Sequence, residues 1–147
     1  MNNDYTMPEF LKKHCEQEVY KTWLTRKANA HLKRDKKRWE ITGTREEYKQ
    51  AIQKAVIESK GFDAYTGKKL KWDLIGKYDN DESKSGRSEY KKKFGELPTV
   101  DHVSGKGQKL QFKICSWKVN DAKNDLSYKE FVKLCEEIVE FAKENKK

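Results

Sequence analysis

The feature that most constrains the fold is a pair of short strand-like runs on either side of two glycines. Thr99 to Val103 is β-prone. "SGKG" at 104–107 suits a reversal. Leu110 to Cys115 then alternates apolar Leu110, Phe112 and Ile114 with polar Gln111 and Lys113, the period of a half-buried strand. A hairpin with one buried face needs hydrophobic packing to brace it, and the rest of the chain offers mainly helices. The expected class is therefore α+β.

Four helical segments are predicted around that hairpin. The first begins near Pro8 and Glu9, which suit a first turn. It repeats Phe10, Leu11, Cys15, Val19 and Trp23 at helical spacing and continues through Ala28, Ala30 and Leu32. The second begins at "TREE", Thr44 to Glu47, which is a capping box. Its apolar stripe is Tyr48, Ala51, Ile52, Ala55 and Val56, and Gly61 suits its end. A short helix is expected after Cys115, reaching about Lys123. A last helix starts at Ser127, with Glu130 completing a second capping box and Phe131, Leu134, Cys135, Ile138, Val139 and Ala142 as its core face. "FDAYTGKKLKWDLIG" reads as a turn with short extended pieces. Lys77 to Glu96 reads mostly as loop, with a helical turn near Tyr90 to Phe94. The division is a helical basic region, 1–60, followed by 61–147, which forms one compact unit with it.

Composition narrows the partners. The 147 residues include 33 Lys and Arg against 24 Asp and Glu, a net charge of +9 that favours a polyanion such as nucleic acid. Six Phe, four Trp and seven Tyr are enough for a packed core and argue against wholesale disorder. Trp23, Trp39, Trp72 and Trp117 read as core or boundary anchors. No apolar run approaches the ~18 residues of a membrane span. The N-terminus lacks a basic-then-apolar signal, so a cytoplasmic location is expected. Cys15, Cys115 and Cys135 are odd in number and far apart. They predict neither a structural zinc site nor a disulfide framework, and Cys115 and Cys135 are expected to be small buried apolar residues.

"VDHV" (Val100 to Val103), "FKIC" (Phe112 to Cys115) and "NDAK" (Asn120 to Lys123) follow one another as strand, strand and helix. Together with the upstream "YTGKKL", they resemble the ββα-metal nucleases, the HNH or His-Me finger family, over roughly Phe62 to Phe141. The resemblance implies a ββα-metal core flanked by a helical N-terminal half and a C-terminal helix. It implies a divalent-metal-dependent endonuclease that hydrolyses DNA phosphodiester bonds, leaving 5′-phosphate and 3′-hydroxyl ends. His102 is then the general base, and Asp101 and Asn120 hold Mg²⁺ or Mn²⁺. This chemistry suits the residue types. A neutral imidazole can take a proton from water near neutral pH. A carboxylate and a carboxamide oxygen are hard ligands that leave positions for phosphate and water.

The pattern also departs from the family. Its central Asn is absent, and Gln111 is the nearest candidate to steady the hairpin. Its final His is replaced by Asn120, with Asn124 four residues on as an alternative ligand. The paired-cysteine zinc ribbon is missing. Adjacent strand residues point to opposite faces, so Asp101 and His102 can share a site only where the strand ends or distorts. Lys123 is either a phosphate contact or a solvated lysine. Ten Lys or Arg lie between Lys12 and Arg38, against three acids. On the nuclease reading, Arg26, Lys27, Lys33, Arg34, Lys36, Lys37 and Arg38 make this stretch a DNA-facing surface. Otherwise it is an ordinary solvated helix face. His14 and His31 lack ligand partners at recognisable spacing and read as structural or exposed. The rival function is a non-catalytic nucleic-acid-binding module on the same scaffold. Pairing as a homodimer stays open, since no heptad declares itself. A restriction, mobile-element, phage or defence enzyme would present the same pattern in a prokaryotic or phage setting.

Overall fold

The computed structural model describes residues 5–39, 43–77, 92–103 and 110–145. The 104–107 turn of the hairpin and most of the 77–96 loop lie outside them. Among the described residues the architecture is α+β, with four α-helices and one two-stranded antiparallel sheet. Helix α1 spans Gln17–Trp39 and α2 spans Arg45–Ser59. Strands β1 and β2 span Pro98–His102 and Phe112–Ser116. Helix α3 is Trp117–Lys123 and α4 is Tyr128–Glu144.

The first helix begins later than its apolar spacing predicts. Glu9–Leu11 forms a separate 3₁₀ turn, and α1 starts at Gln17. The reason is tertiary. Gln17 Oε1 accepts from the Met7 amide, and Gln17 Nε2 donates to the Tyr5 carbonyl. The side chain thus binds an N-terminal segment whose Tyr5 and Met7 are buried. The start of α2 follows its sequence closely. Thr44 Oγ1 accepts from the Glu47 amide, and Glu47 Oε1 accepts from the Thr44 amide. Its end comes at Lys60, which takes φ 54°, followed by Gly61 at φ 96°. Two successive residues in the left-handed region turn the chain sharply, and a glycine carries the second at no steric cost.

One core serves both halves of the chain. Trp23 and Leu24 of α1, Ile52 and Val56 of α2, Trp72, and Val100 and Ile114 of the hairpin lie in a single cluster. The Trp23 and Trp72 rings meet edge to face at 5.5 Å. Trp117 is half-buried at the rim. The sheet register pairs Val100 with Ile114, Asp101 with Lys113 and His102 with Phe112. Two strands alone are marginal in water. Here α2 packs on β2, α1 reaches β1 through Lys27 and His31, and α3 follows directly from β2 and returns against β1. Asp63 fixes that corner. Its Oδ1 accepts from the Tyr65 and Thr66 amides, and its Oδ2 accepts from the Ser116 amide at 3.0 Å.

Helix α4 departs from expectation. Its capping box at Ser127 and Glu130 forms as predicted, but none of its residues is buried. Its apolar stripe is therefore not a core face, because α1, α2 and the hairpin already close the core without it. Cys135 is exposed rather than buried, whereas Cys115 is fully buried.

Candidate functional site

A cleft of about 830 Å³ opens between α1, the edge of β1, and α3 with the segment that follows it. Four consecutive β1 and post-β1 residues, Val100 to Val103, border it. Consecutive residues can do so only when the cleft meets the strand edge-on. This resolves the geometric objection: residues from both faces of a strand can reach a cavity along its open edge. Asp101, His102, Asn120, Lys123 and Asn124 all line this one cleft, as do Arg34 and Arg38 from α1.

His102 is held from behind. Its Nδ1 lies 3.2 Å from Asp35 Oδ1, and the phenol of Tyr48 donates to Asp35 Oδ2 at 2.6 Å. Asp35 is only 2% exposed. An imidazole facing a buried carboxylate through Nδ1 carries its proton there, so its lone pair is on Nε2. Burial lowers the His102 pKa, and the Asp35 carboxylate opposes the shift by favouring the charged ring. The Tyr48 hydroxyl is pushed up by burial and by the same acid.

His31 sits one turn before Asp35 on the same face of α1. It is 5% exposed, and its Nε2 donates to the Val100 carbonyl at 3.1 Å. That bond satisfies an acceptor on the open edge of β1, a row of groups that sheets otherwise leave unpaired. Burial drives the His31 pKa down to about 3. Its ring is therefore neutral at any physiological pH and adds no charge next to His102, whose ring centroid is 6.1 Å away. Its Nδ1 is buried without a partner among the described residues.

Asp101 has a different environment. Lys123 Nζ lies 3.1 Å from its Oδ2, and the Tyr65 hydroxyl donates to the same oxygen at 2.5 Å. Both side chains of the ion pair are nearly inaccessible, at 8% and 6%. Lys123 is thus a buried counter-ion, neither a solvated lysine nor an open phosphate contact. Burial, and then the Asp101 carboxylate to which it donates, strongly suppress the ionisation of the Tyr65 hydroxyl. Both contacts fall on Oδ2, so Oδ1 is the oxygen left to a cleft ligand.

Among the described residues, no group of three or more His, Cys, Asp or Glu is arranged to hold a metal ion. Besides Asp35, Asp125 and Glu130, whose carboxylates face His102, Arg38 and the Ser127 amide, the cleft is lined by the carboxylates of Asp101 and Asp121 and the carboxamides of Asn120 and Asn124. These oxygen donors suit a hard cation such as Mg²⁺, which keeps several of its waters and needs few protein ligands. Asn120 lies within α3, half-buried. Asn124 does not share that helical face. It caps α3 at φ 52°, and its backbone amide donates to the Asn120 carbonyl.

The remaining sequence candidates divide. Gln111 is exposed at the foot of β2, where its carbonyl accepts from the Val103 amide and closes the hairpin ladder. Arg26, Lys33, Arg34, Lys36, Lys37 and Arg38 are exposed on α1. Arg38 also reaches across the cleft mouth to Asp125 at 3.1 Å, in an exposed pair of small energetic weight. Lys27 is the exception to the DNA-facing reading of α1. Its ammonium points inward and donates to Thr99 Oγ1 at 3.2 Å, and burial lowers its pKa to about 8. Sequence reasoning overlooked Asp35, Tyr48, Tyr65 and the placement of His31. A signal existed for two of them: His31 and Asp35 are four residues apart, on one helical face within a basic run.

No helix among the described residues is long and apolar enough to cross a membrane. No family model, curated protein or solved structure matches the chain.

Proposed function

We propose that this chain is a divalent-metal-dependent endonuclease of the ββα-metal type that hydrolyses DNA phosphodiester bonds. The observation that carries this reading is the buried Asp35 and Tyr48 relay behind His102, on the wall of a cleft shared with Asp101, Asn120 and Arg34. A surface histidine with no task needs no such support. A general base needs it, because the ring must be held in one tautomer with its lone pair presented.

In the mechanism, a water oxygen attacks phosphorus while its proton passes to Nε2 of His102. The bond from phosphorus to the 3′ oxygen breaks, and that oxygen leaves with a proton from solvent. Asp35 stabilises the imidazolium that forms, without accepting its proton. Asp101 Oδ1 and Asn120 would hold the cation, which supplies charge stabilisation for the phosphate oxygens when bound. Arg34 and Arg38 offer cationic donors to the flanking backbone. The exposed lysines and arginines further along α1 extend a contact that is salt-dependent and indifferent to sequence.

One observation favours the non-catalytic DNA-binding module. Lys123 already neutralises Asp101, the carboxylate that would hold the cation, which weakens any cation site there. Supercoiled plasmid separates the readings. Metal-dependent nicking by the wild type, lost in His102→Ala while DNA binding persists, is expected. Binding without cleavage in Mg²⁺, Mn²⁺ and other divalent ions would leave the module.

A further inference from the structure

The cleft has two unlike walls. Arg34 and Arg38 of α1 line one side, and Asp121, Asp125 and Glu130 line the other. Lys123, the cation on that second side, is already paired with Asp101. A phosphate chain is drawn to the first wall and repelled by the second, so one backbone fits along α1 and a second backbone has no place opposite. Arg38 and Asp125 meet across the mouth in an exposed pair, weak enough to open for a phosphate. The acidic side also carries a large ring. Tyr128 lines the cleft and is 55% exposed, at the first position of α4, where the capping box of Ser127 and Glu130 fixes its backbone. Its ring stacks on that of Tyr65, with centroids 5.5 Å apart and planes at 25°. Tyr65 is fixed in turn, since its hydroxyl donates to Asp101 Oδ2. Tyr128 is thus a backed, well-placed ring that stays open to the cleft.

A cationic wall facing an open aromatic ring is the combination that holds a single nucleic-acid strand: charge tracks the backbone and the ring takes a base. In a duplex the bases lie inside the stack, so only an unpaired or extruded base can use such a ring. The space agrees, because about 830 Å³ is the size of a site for one small ligand. We propose that the cleft takes a single-stranded segment of DNA, with an unpaired base stacked on Tyr128 and its phosphates on Arg34 and Arg38. This preference rests on the cleft being a DNA site, and not on cleavage. Tyr128 is then a specificity-determining residue. Its link through Tyr65 to Asp101 sets the unpaired nucleotide beside the residues that would act on its strand.

Fluorescence anisotropy in EDTA tests the preference apart from any hydrolysis. The ligands are a labelled duplex with a short single-stranded gap and the intact duplex of the same sequence. The wild type is expected to bind the gapped duplex about tenfold more tightly. Tyr128→Leu, which keeps apolar bulk against Tyr65 but has no ring, should bind the two alike, whereas Tyr128→Phe should keep the preference. An unchanged near-ultraviolet signal from the buried Trp23 and Trp72 checks that the leucine variant is folded. An abasic gap should be bound by the wild type no better than intact duplex. Equal binding of gapped and intact duplex by the wild type would overturn the proposal and leave the nuclease reading standing. So would a preference that survives Tyr128→Leu or an abasic gap. Tighter binding of a gap made of RNA would overturn the assignment to DNA. Failure to bind either duplex at low salt would remove the DNA site itself, and both readings with it.

Discussion

Asp35→Asn is the sharpest perturbation of the proposed site, because it changes one charge and almost no volume. Asp35 accepts two bonds, from Tyr48 at 2.6 Å and from His102 Nδ1 at 3.2 Å. A carboxamide has one oxygen and one NH₂, so it can keep only one of those acceptor roles. The shorter bond to Tyr48 retains the oxygen. The NH₂ then faces His102 Nδ1, which must become an acceptor, and the ring proton moves to Nε2. An imidazole in that tautomer cannot take a proton from water in the cleft. The loss is that of the general base, about 10²–10⁴-fold in kcat. The fold loses one charge-assisted buried bond, about 1.5–3 kcal/mol, which a domain of ordinary stability survives. DNA affinity should stay within a few-fold, because Asp35 is almost fully buried behind His102. The assay is single-turnover nicking beside DNA-binding anisotropy on the same preparation. ¹⁵N shifts of the His102 ring report the tautomer directly, even if no cleavage is seen. Tyr48→Phe is the control: it leaves Asp35 with both oxygens for His102 and should cost less than tenfold, on the order of 1 kcal/mol at the barrier. A folded Asp35→Asn protein that cuts at the wild-type rate, or keeps the Nδ1–H tautomer, would refute the reasoning.

The other contacts give further expectations. Lys123→Met strands a buried carboxylate and should cost about 3–5 kcal/mol of stability in chelator. Part of that should return with Mn²⁺ in thermal unfolding, since a cation at Asp101 replaces the lost ammonium; no metal response would count against a cation at that residue. Arg34→Ala should lower the salt slope of DNA binding by about 1, whereas Lys27→Ala should leave that slope unchanged because its ammonium is turned into the fold. His31 has its folded pKa lowered from 6.5 to about 3, so the unfolded chain binds more protons as pH falls through 6.5. Stability from this residue is therefore full above pH 6.5 and declines below it, by about 2 kcal/mol at pH 5. Chemical denaturation at pH 7 and 5 should show that loss shrinking in His31→Gln. The acid limb of kcat/KM should fall below pH 6.5, since burial lowers His102; a limb above that value would mean a different base.

What could be read from sequence was local. Both capping boxes, the strand alternation and the short helix after Cys115 rest on neighbours within a few residues, and they form where expected. Asp101, His102 and Asn120 reach one cleft for the same reason, since a hairpin followed by a helix brings them together by short connections. What escaped was long-range. Asp35 lies 67 residues before the histidine it supports, inside a run whose charge drew attention to its lysines. Tyr65 meets Asp101 only because Asp63 folds the 62–69 turn back onto the end of β2. Lys27 and Arg34 look alike in sequence, and only the angle of α1 against the sheet turns one inward and the other to the cleft. Helix α4 failed in the opposite sense: an apolar stripe specifies that something will cover it, and does not specify what.

The placement of α1 accounts for the site better than either half of the chain does alone. A two-stranded hairpin has two open edges, and nothing in its own sequence fixes the rotamer of a histidine at its end. Helix α1 supplies both needs from one face. His31 fills the carbonyl of Val100 on the open edge, and one turn later Asp35 takes the ring of His102. Arg34, next to Asp35, and Arg38, one turn on, line the same cavity. The hairpin is thus steadied from outside, by an acid that α2 holds in turn through Tyr48. Burying that acid would cost several kcal/mol without partners, and its two donors come from different elements. The relay therefore forms only when α1, α2 and the hairpin have assembled, which ties the proton-accepting geometry to the completed fold.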